Sequence, residues 1–114
     1  MTINNQTTYP TSVFVKEGSD YTKIPLHSVV YFQADGNYSY IQTVDHRYVI
    51  KRSLATIIDG LDPDRFVRVS RAYVANFDRI EKLNFNEGVA VVGGHELKLG
   101  KSYHAEVRAR MPRL

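Results

Sequence analysis

The chain has no cysteine, so neither a disulfide framework nor a thiolate metal site can support its fold, and a cytoplasmic location is the expectation. No apolar run approaches the ~20 residues that a membrane span requires, and no secretory leader pattern opens the sequence, so no membrane association is expected. The four histidines, His27, His46, His95 and His104, are scattered, without the close spacing of paired metal ligands. Asp45-His46 reads as a turn before it reads as an acid–base pair. Gly93-Gly94 joins two strand-like runs rather than a strand and a helix, so no phosphate-cradling loop is present. An enzyme is therefore not the expected class, and neither a cofactor nor a metal is implied.

What is present suits one small globular domain. At 114 residues the chain can bury a modest core, filled here by aliphatics and eight tyrosines. The net charge of +3 is unevenly placed. Residues 1–64 hold five Lys/Arg against seven Asp/Glu, a balance of −2; residues 65–114 hold ten against five, a balance of +5. A basic half on a near-neutral scaffold is the charge pattern of a face that meets a polyanion.

Residues 1–11 are polar and aperiodic, which predicts a flexible arm or linker ahead of a domain spanning 12–114. Strands are expected at Ser12–Lys16 and Tyr21–Leu26, where Pro25 marks a strand end or a sheet edge. Val29-Val30-Tyr31-Phe32-Gln33-Ala34 is nearly continuous in apolar residues and predicts a buried central strand. Asp35-Gly36-Asn37 is a tight turn signal leading into Tyr38–Val44, and Asp45-His46 turns again into Arg47–Lys51. The period then changes: Leu54, Ile57, Ile58 and Leu61 form one helical stripe, with Ser53 placed as N-cap and Asp62-Pro63 as the stop. Further on, Arg79–Phe85 alternates with a slip between Ile80 and Leu83 that suggests a bulge. Val89–Val92 and His95–Leu99 make a second hairpin, and 101–111 reads as a short helix with Tyr103, Val107 and Met111 on one face.

The stretch Phe66–Asn76 is the most suggestive in the chain. Two short strands, Val67–Ser70 and Tyr73–Asn76, flank Arg71-Ala72. Phe66, Val67, Val69, Tyr73 and Val74 suit a half-buried pleated surface, which leaves Arg68, Arg71 and Asn76 to be turned toward solvent. A guanidinium beside neutral donors can grip phosphate or a guanine edge bidentately.

The order of these parts closely resembles the LytTR DNA-binding domain, the output module of many bacterial response regulators. The residues that carry the likeness run from Tyr31-Phe32-Gln33-Ala34 into Asp35-Gly36-Asn37-Tyr38 and through Arg52-Ser53-Leu54. They continue with Phe66-x-Arg68-Val69-Ser70-Arg71-x-Tyr73-x-x-Asn76, Ile80, a glycine-turn hairpin and Gly100-Lys101-x-Tyr103, so that roughly residues 12–111 are covered. The resemblance implies a mainly β fold of small antiparallel sheets with one short middle helix and a short C-terminal helix. It also implies double-stranded DNA as the partner, bound through loops and strand ends, with paired or direct-repeat sites, a dimer on the DNA, and a receiver domain or sensor kinase upstream. Position by position it assigns DNA contact to Asn37, Tyr38 and Ser39 in the first loop and to Arg71 and Asn76 in the central stretch. Lys101 and Ser102 take that role at the start of the last helix, and Arg68 and Ser70 complete the expected set. Three departures bear on affinity: Ser70 stands where the family usually has histidine, Ala72 where it has serine, and Gly100-Lys101 where it has Ser-Arg. Lysine cannot reproduce a bidentate arginine contact.

Two other functions fit the same residues. A protein–protein module could keep this fold without operator binding, and Tyr31, Tyr38, Tyr40 and Tyr48 could form a stacking platform for single-stranded nucleic acid. The duplex reading makes a geometric demand: Arg71 must be exposed, and Tyr38, Arg71 and Lys101 must share one side of the molecule.

Overall fold

The apolar run at Val29–Phe32 lies in β3 (Val29–Asp35), the middle strand of a five-stranded antiparallel sheet, because both faces of that strand are covered. A computed structural model describes residues 8–114 of the chain. The sheet is ordered β5-β4-β3-β7-β6, with β4 at Tyr38–Thr43, β5 at Arg47–Ile50, β6 at Phe66–Arg68 and β7 at Tyr73–Asn76. One face carries the hairpin of β1 (Ser12–Glu17) and β2 (Asp20–Pro25), together with α1 (Leu54–Asp59). The other carries a three-stranded sheet of β8 (Ile80–Asn84), β9 (Val89–Val92) and β10 (His95–Lys98), together with α2 (His104–Arg110). Short 3-10 turns occupy Leu26–Ser28, Phe77–Arg79 and Lys101–Tyr103. The chain is thus mainly β in small antiparallel sheets with two short helices, as expected.

Strand alternation divides the interior into two cores. Phe32, Ile41, Phe66 and Val74 point to the first, where Val15 and Ile24 of the hairpin and Leu54 of α1 meet them. Val67, Val69 and Ala75 point to the second, against Ala90, Val92, Leu97 and Val107. A register shift in β3 sends two successive residues to the same side: Val29 pairs with Thr43 and Tyr31 with Gln42, so Val30 is the extra residue and joins Tyr31 in the second core. Gly93 closes over it. A Cβ on Gly93 would stand 2.7 Å from Val30 Cγ1, and its φ is +53°, so turn geometry and close approach both require glycine there.

Most boundaries fall where the pattern places them, including the slip in β8, which is a register shift between Ile80 and Lys82. Three differ. The central hairpin is shorter than expected: β6 ends at Arg68, and the amides of Val69 and Ser70 both donate to the Tyr73 carbonyl, leaving residues 69–72 as a loop. The last helix begins as a 3-10 turn and becomes α-helical only at His104. In the turn after β3, Gly36 alone takes a positive φ, of 60°, and Asn37 does not. As for the expected arm at 1–11, residues 1–7 lie outside the described residues, and the carbonyl of Thr11 accepts from the amide of Leu26 at 2.9 Å.

Ser53 caps α1 as its position predicts, its side chain accepting from the Thr56 amide at 3.2 Å. Loss of that acceptor orphans an amide at the helix start. Ser53→Ala should lower the unfolding free energy by about 1 kcal/mol, measured by urea denaturation; an unchanged midpoint would show that the cap contributes nothing.

Candidate nucleic-acid interface

Antiparallel pairing brings four junctions to one end of the five-stranded sheet. Asp35 pairs with Tyr38, which closes the β3–β4 turn there. Gln33 pairs with Tyr73, so the loop before β7 lies beside the end of β3, and the Ala34 amide donates to the Ala72 carbonyl at 2.8 Å. Ser39 pairs with Ile50, which places Lys51 and Arg52 at the same end. The 3-10 turn at 101–103 is tied in by the Gly100 amide, which donates to the Val69 carbonyl at 2.8 Å. Three loops far apart in sequence are therefore joined through their backbones, and the demand that Tyr38, Arg71 and Lys101 share one side is met.

The side chains divide into those presented and those withdrawn. Arg71 is exposed, and among the described residues its guanidinium takes no hydrogen bond and no ion pair. Arg68 is half-buried and donates from Nη1 to the Arg71 carbonyl at 2.7 Å, so it braces the loop that carries Arg71. Lys101 and Ser102 are exposed on their turn, and Asn37 and Tyr38 are exposed on theirs. Arg71, Lys98, Lys101, Ser102 and His104 line a groove of about 800 Å³ between the 69–72 loop and the last helix, with Phe85 in its wall. Arg108 stacks its guanidinium 4.1 Å over the Phe85 ring, and His104 meets the same ring edge-on.

Ser39 and Asn76 are corrections to the expected set. Ser39 is fully buried and its hydroxyl donates to the Arg52 carbonyl at 2.7 Å, so it ties β4 to the segment after β5 and presents nothing outward. Asn76 pairs with Phe66 at the far end of β7 from Arg71 and is 2% exposed. Its Nδ2 donates to the Val29 carbonyl at 2.9 Å, and its Oδ1 accepts from the Asp78 amide at 3.1 Å. Its polarity suggests exposure beside the arginines, but period two places Asn76 on the face of Val74, and the fold uses it as an internal clamp and as cap of the 77–79 turn.

Ser70 is withdrawn in a different way. It is buried and lines the groove, and its Oγ has no hydrogen-bond partner among the described residues. A buried unpaired hydroxyl destabilises the free chain, so Ser70→Ala should leave stability unchanged or raise it by about 0.5–1 kcal/mol. A fall in the thermal midpoint would show that the hydroxyl is paired in solution.

Lys51, Arg52 and Lys98 were not among the expected residues, yet they stand with the others. The signal available for the first two is a pair of cations directly after a strand that returns to the end bearing the Asp35-Gly36-Asn37 turn. The stacking platform does not form. Tyr31 is 6% exposed and set edge-on between Tyr73 and His95, Tyr40 is covered by Arg47 at 4.1 Å, and Tyr48 packs against the first core on the opposite face. Arg47 itself is held by Gln33 at 2.7 Å. Among the described residues no group of three or more His, Asp or Glu is placed to hold a metal, and no helix is long and apolar enough to cross a membrane.

Comparison with known proteins bears on the family and the fold. A family model described as the LytTr DNA-binding domain matches residues 19–111. The heme-containing CO-sensing transcriptional regulator RcoM 2 of Paraburkholderia xenovorans is 36% identical over 70 residues, which are 60% of this chain and 26% of that protein. The CO-responsive transcriptional regulator RcoM of Rhodospirillum rubrum is 41% identical over 46 residues, 40% of this chain and 20% of that protein. The chain thus spans about a quarter or less of the length of these relatives. Among solved structures, the LytTr DNA-binding domain of a methyl-accepting/DNA response regulator from Bacillus cereus superposes with a TM-score of 0.77 at 20% identity, covering 89% of this chain and 96% of the other. At that identity the likeness speaks to the fold alone.

Proposed function

The chain belongs to the LytTr DNA-binding domain family, a family of regulatory DNA-binding domains rather than of enzymes, and from that premise we propose that it binds specific sequences in double-stranded DNA through the end of the five-stranded sheet where Arg71 and Lys101 meet. The observation that carries this reading is the pair of backbone hydrogen bonds, Ala34 to Ala72 and Gly100 to Val69, which ties together three loops, two of them bearing the cations Arg71 and Lys101. Arg71 is the base reader of the set: an exposed fork on a braced loop can grip a guanine edge bidentately. Lys101, Lys98, Lys51 and Arg52 supply charge to the phosphates on either side, and Asn37, Tyr38 and Ser102 supply neutral donors. Lys101 acts there as a point charge where the family more often has arginine, which moves its part from reading toward positioning.

The domain works in the cytoplasm as the output end of a transcriptional regulator, two copies engaging paired or direct-repeat half-sites, under the control of a receiver domain or sensor kinase upstream. Selection of binding sites from a random duplex library, followed by anisotropy titration of the selected site, tests the reading directly. The selected duplex should bind far more tightly than a scrambled duplex or oligo-dT. Equal affinity for all three would leave only nonspecific attraction and would sink the proposal in favour of a protein-interaction module.

Binding to the selected site should also weaken with salt. Three or four phosphate contacts predict a log–log slope of about −2.7 to −3.6. A slope near zero would show that these cations do not meet the backbone.

A further inference from the structure

We propose that the groove between the β1–β2 hairpin, β5 and α1 is a binding site for a free single-chain amphipathic anion, an acyl or aryl body carrying one carboxylate or phosphate. The groove has a volume of about 720 Å³, within the roughly 300–1,000 Å³ range of small-molecule sites. None of residues 69–72 lines it, and it shares only Lys51 and Arg52 with the proposed duplex-binding surface.

The first observation is where exposed apolar surface collects. Of the six large apolar side chains exposed among the described residues, two line this groove: Phe14 and Tyr21, at 64% and 66% exposure. Such residues scattered singly need no explanation, but their concentration around one concavity marks an interaction site. The groove also reaches inward to Phe32 and Ile41 of the first core, so an apolar body entering it would meet packed hydrocarbon at its floor.

The second observation is charge. Lys16, Lys51 and Arg52 line the same groove, and no aspartate or glutamate does. Glu17, next to Lys16, is engaged elsewhere, its carboxylate accepting from Thr22 Oγ1 at 2.8 Å and lying 3.8 Å from His46 Nε2. The two strands that border the groove are both edge strands, β1 pairing only with β2 and β5 only with β4 among the described residues. Apolar walls with cations at the rim and no opposing carboxylate match a ligand whose body is apolar and whose head is anionic.

The test uses the full chain and three probes: laurate below its micelle concentration, dodecyltrimethylammonium of the same chain length, and phosphatidylglycerol vesicles. Calorimetric titration should give one saturable site for laurate, with the cationic amphiphile weaker by about tenfold or more. Lys16→Glu and Phe14→Asp alter exposed positions away from the duplex-facing end, where Lys51 and Arg52 also stand, so both variants should fold. Each should weaken laurate by about tenfold while leaving the thermal midpoint of the free chain in place. Absence of a saturable laurate site would overturn the proposal, as would equal binding of the cationic amphiphile or indifference to both substitutions. Capture by the vesicles without a site for free laurate would overturn it in favour of a membrane surface. No readout involves DNA, so failure here is distinguishable from failure of the duplex reading.

Discussion

Asn76→Ala should lower the unfolding free energy by roughly 2–4 kcal/mol and leave duplex affinity of the folded protein unchanged. The side chain is 2% exposed and satisfies two backbone groups at once, the carbonyl of Val29 and the amide of Asp78. Truncation leaves the buried Val29 carbonyl without that partner and removes the cap from the part-buried Asp78 amide, and each such loss costs about 1–3 kcal/mol. It also loosens the first residues of the central strand β3, where Val29 is fully buried. In a domain of this size the thermal midpoint should fall by about 10–20 °C. Urea denaturation with an unchanged slope, read beside an anisotropy titration at low temperature, separates the two effects. A loss of affinity with stability retained would return Asn76 to the DNA-contacting set.

Arg71→Ala should do the reverse. It should lose about 1–3 kcal/mol of affinity for the selected duplex, the range for one good bidentate base contact. Stability should stay within about ±0.5 kcal/mol, because the side chain is exposed and unpartnered among the described residues. Arg71→Lys then distinguishes what the guanidinium touches. A phosphate contact tolerates the exchange of one cation for another, whereas a guanine edge gripped by two parallel N–H groups does not. Wild-type affinity in the alanine variant at physiological salt would remove Arg71 from the interface altogether.

These opposite expectations show how far a pattern of residues carries. Alternation in Phe66–Asn76 correctly separates apolar from polar positions, and it places Arg71 at a loop tip where the fold does expose it. The expectation fails at Asn76 because polarity is not exposure: period two sets Asn76 on the face of Val74, and polarity does not say whether another element covers that face. The Phe77–Arg79 turn and the start of β3 close over Asn76, while none of the described residues closes over Arg71. Ser39 fails for the same reason: it belongs to the first loop by sequence, but its pairing with Ile50 turns it under Arg52.

The sequence by itself determined the local grammar of this protein. Turn residues, period-two runs and one change to helical period set nearly every element boundary, because these depend on neighbours a few residues apart. The unequal charge of the two halves and the likeness to one family of DNA-binding domains were legible there too. Which loops share an end was decided only in three dimensions. The bonds from Ala34 to Ala72 and from Gly100 to Val69 join segments distant in the chain, and no local preference encodes them. So too with Lys51 and Arg52, which become part of a cationic surface only because β5 runs antiparallel to β4 and ends beside the first loop. A surface is a property of packing, and packing alone decides which side chains remain in water.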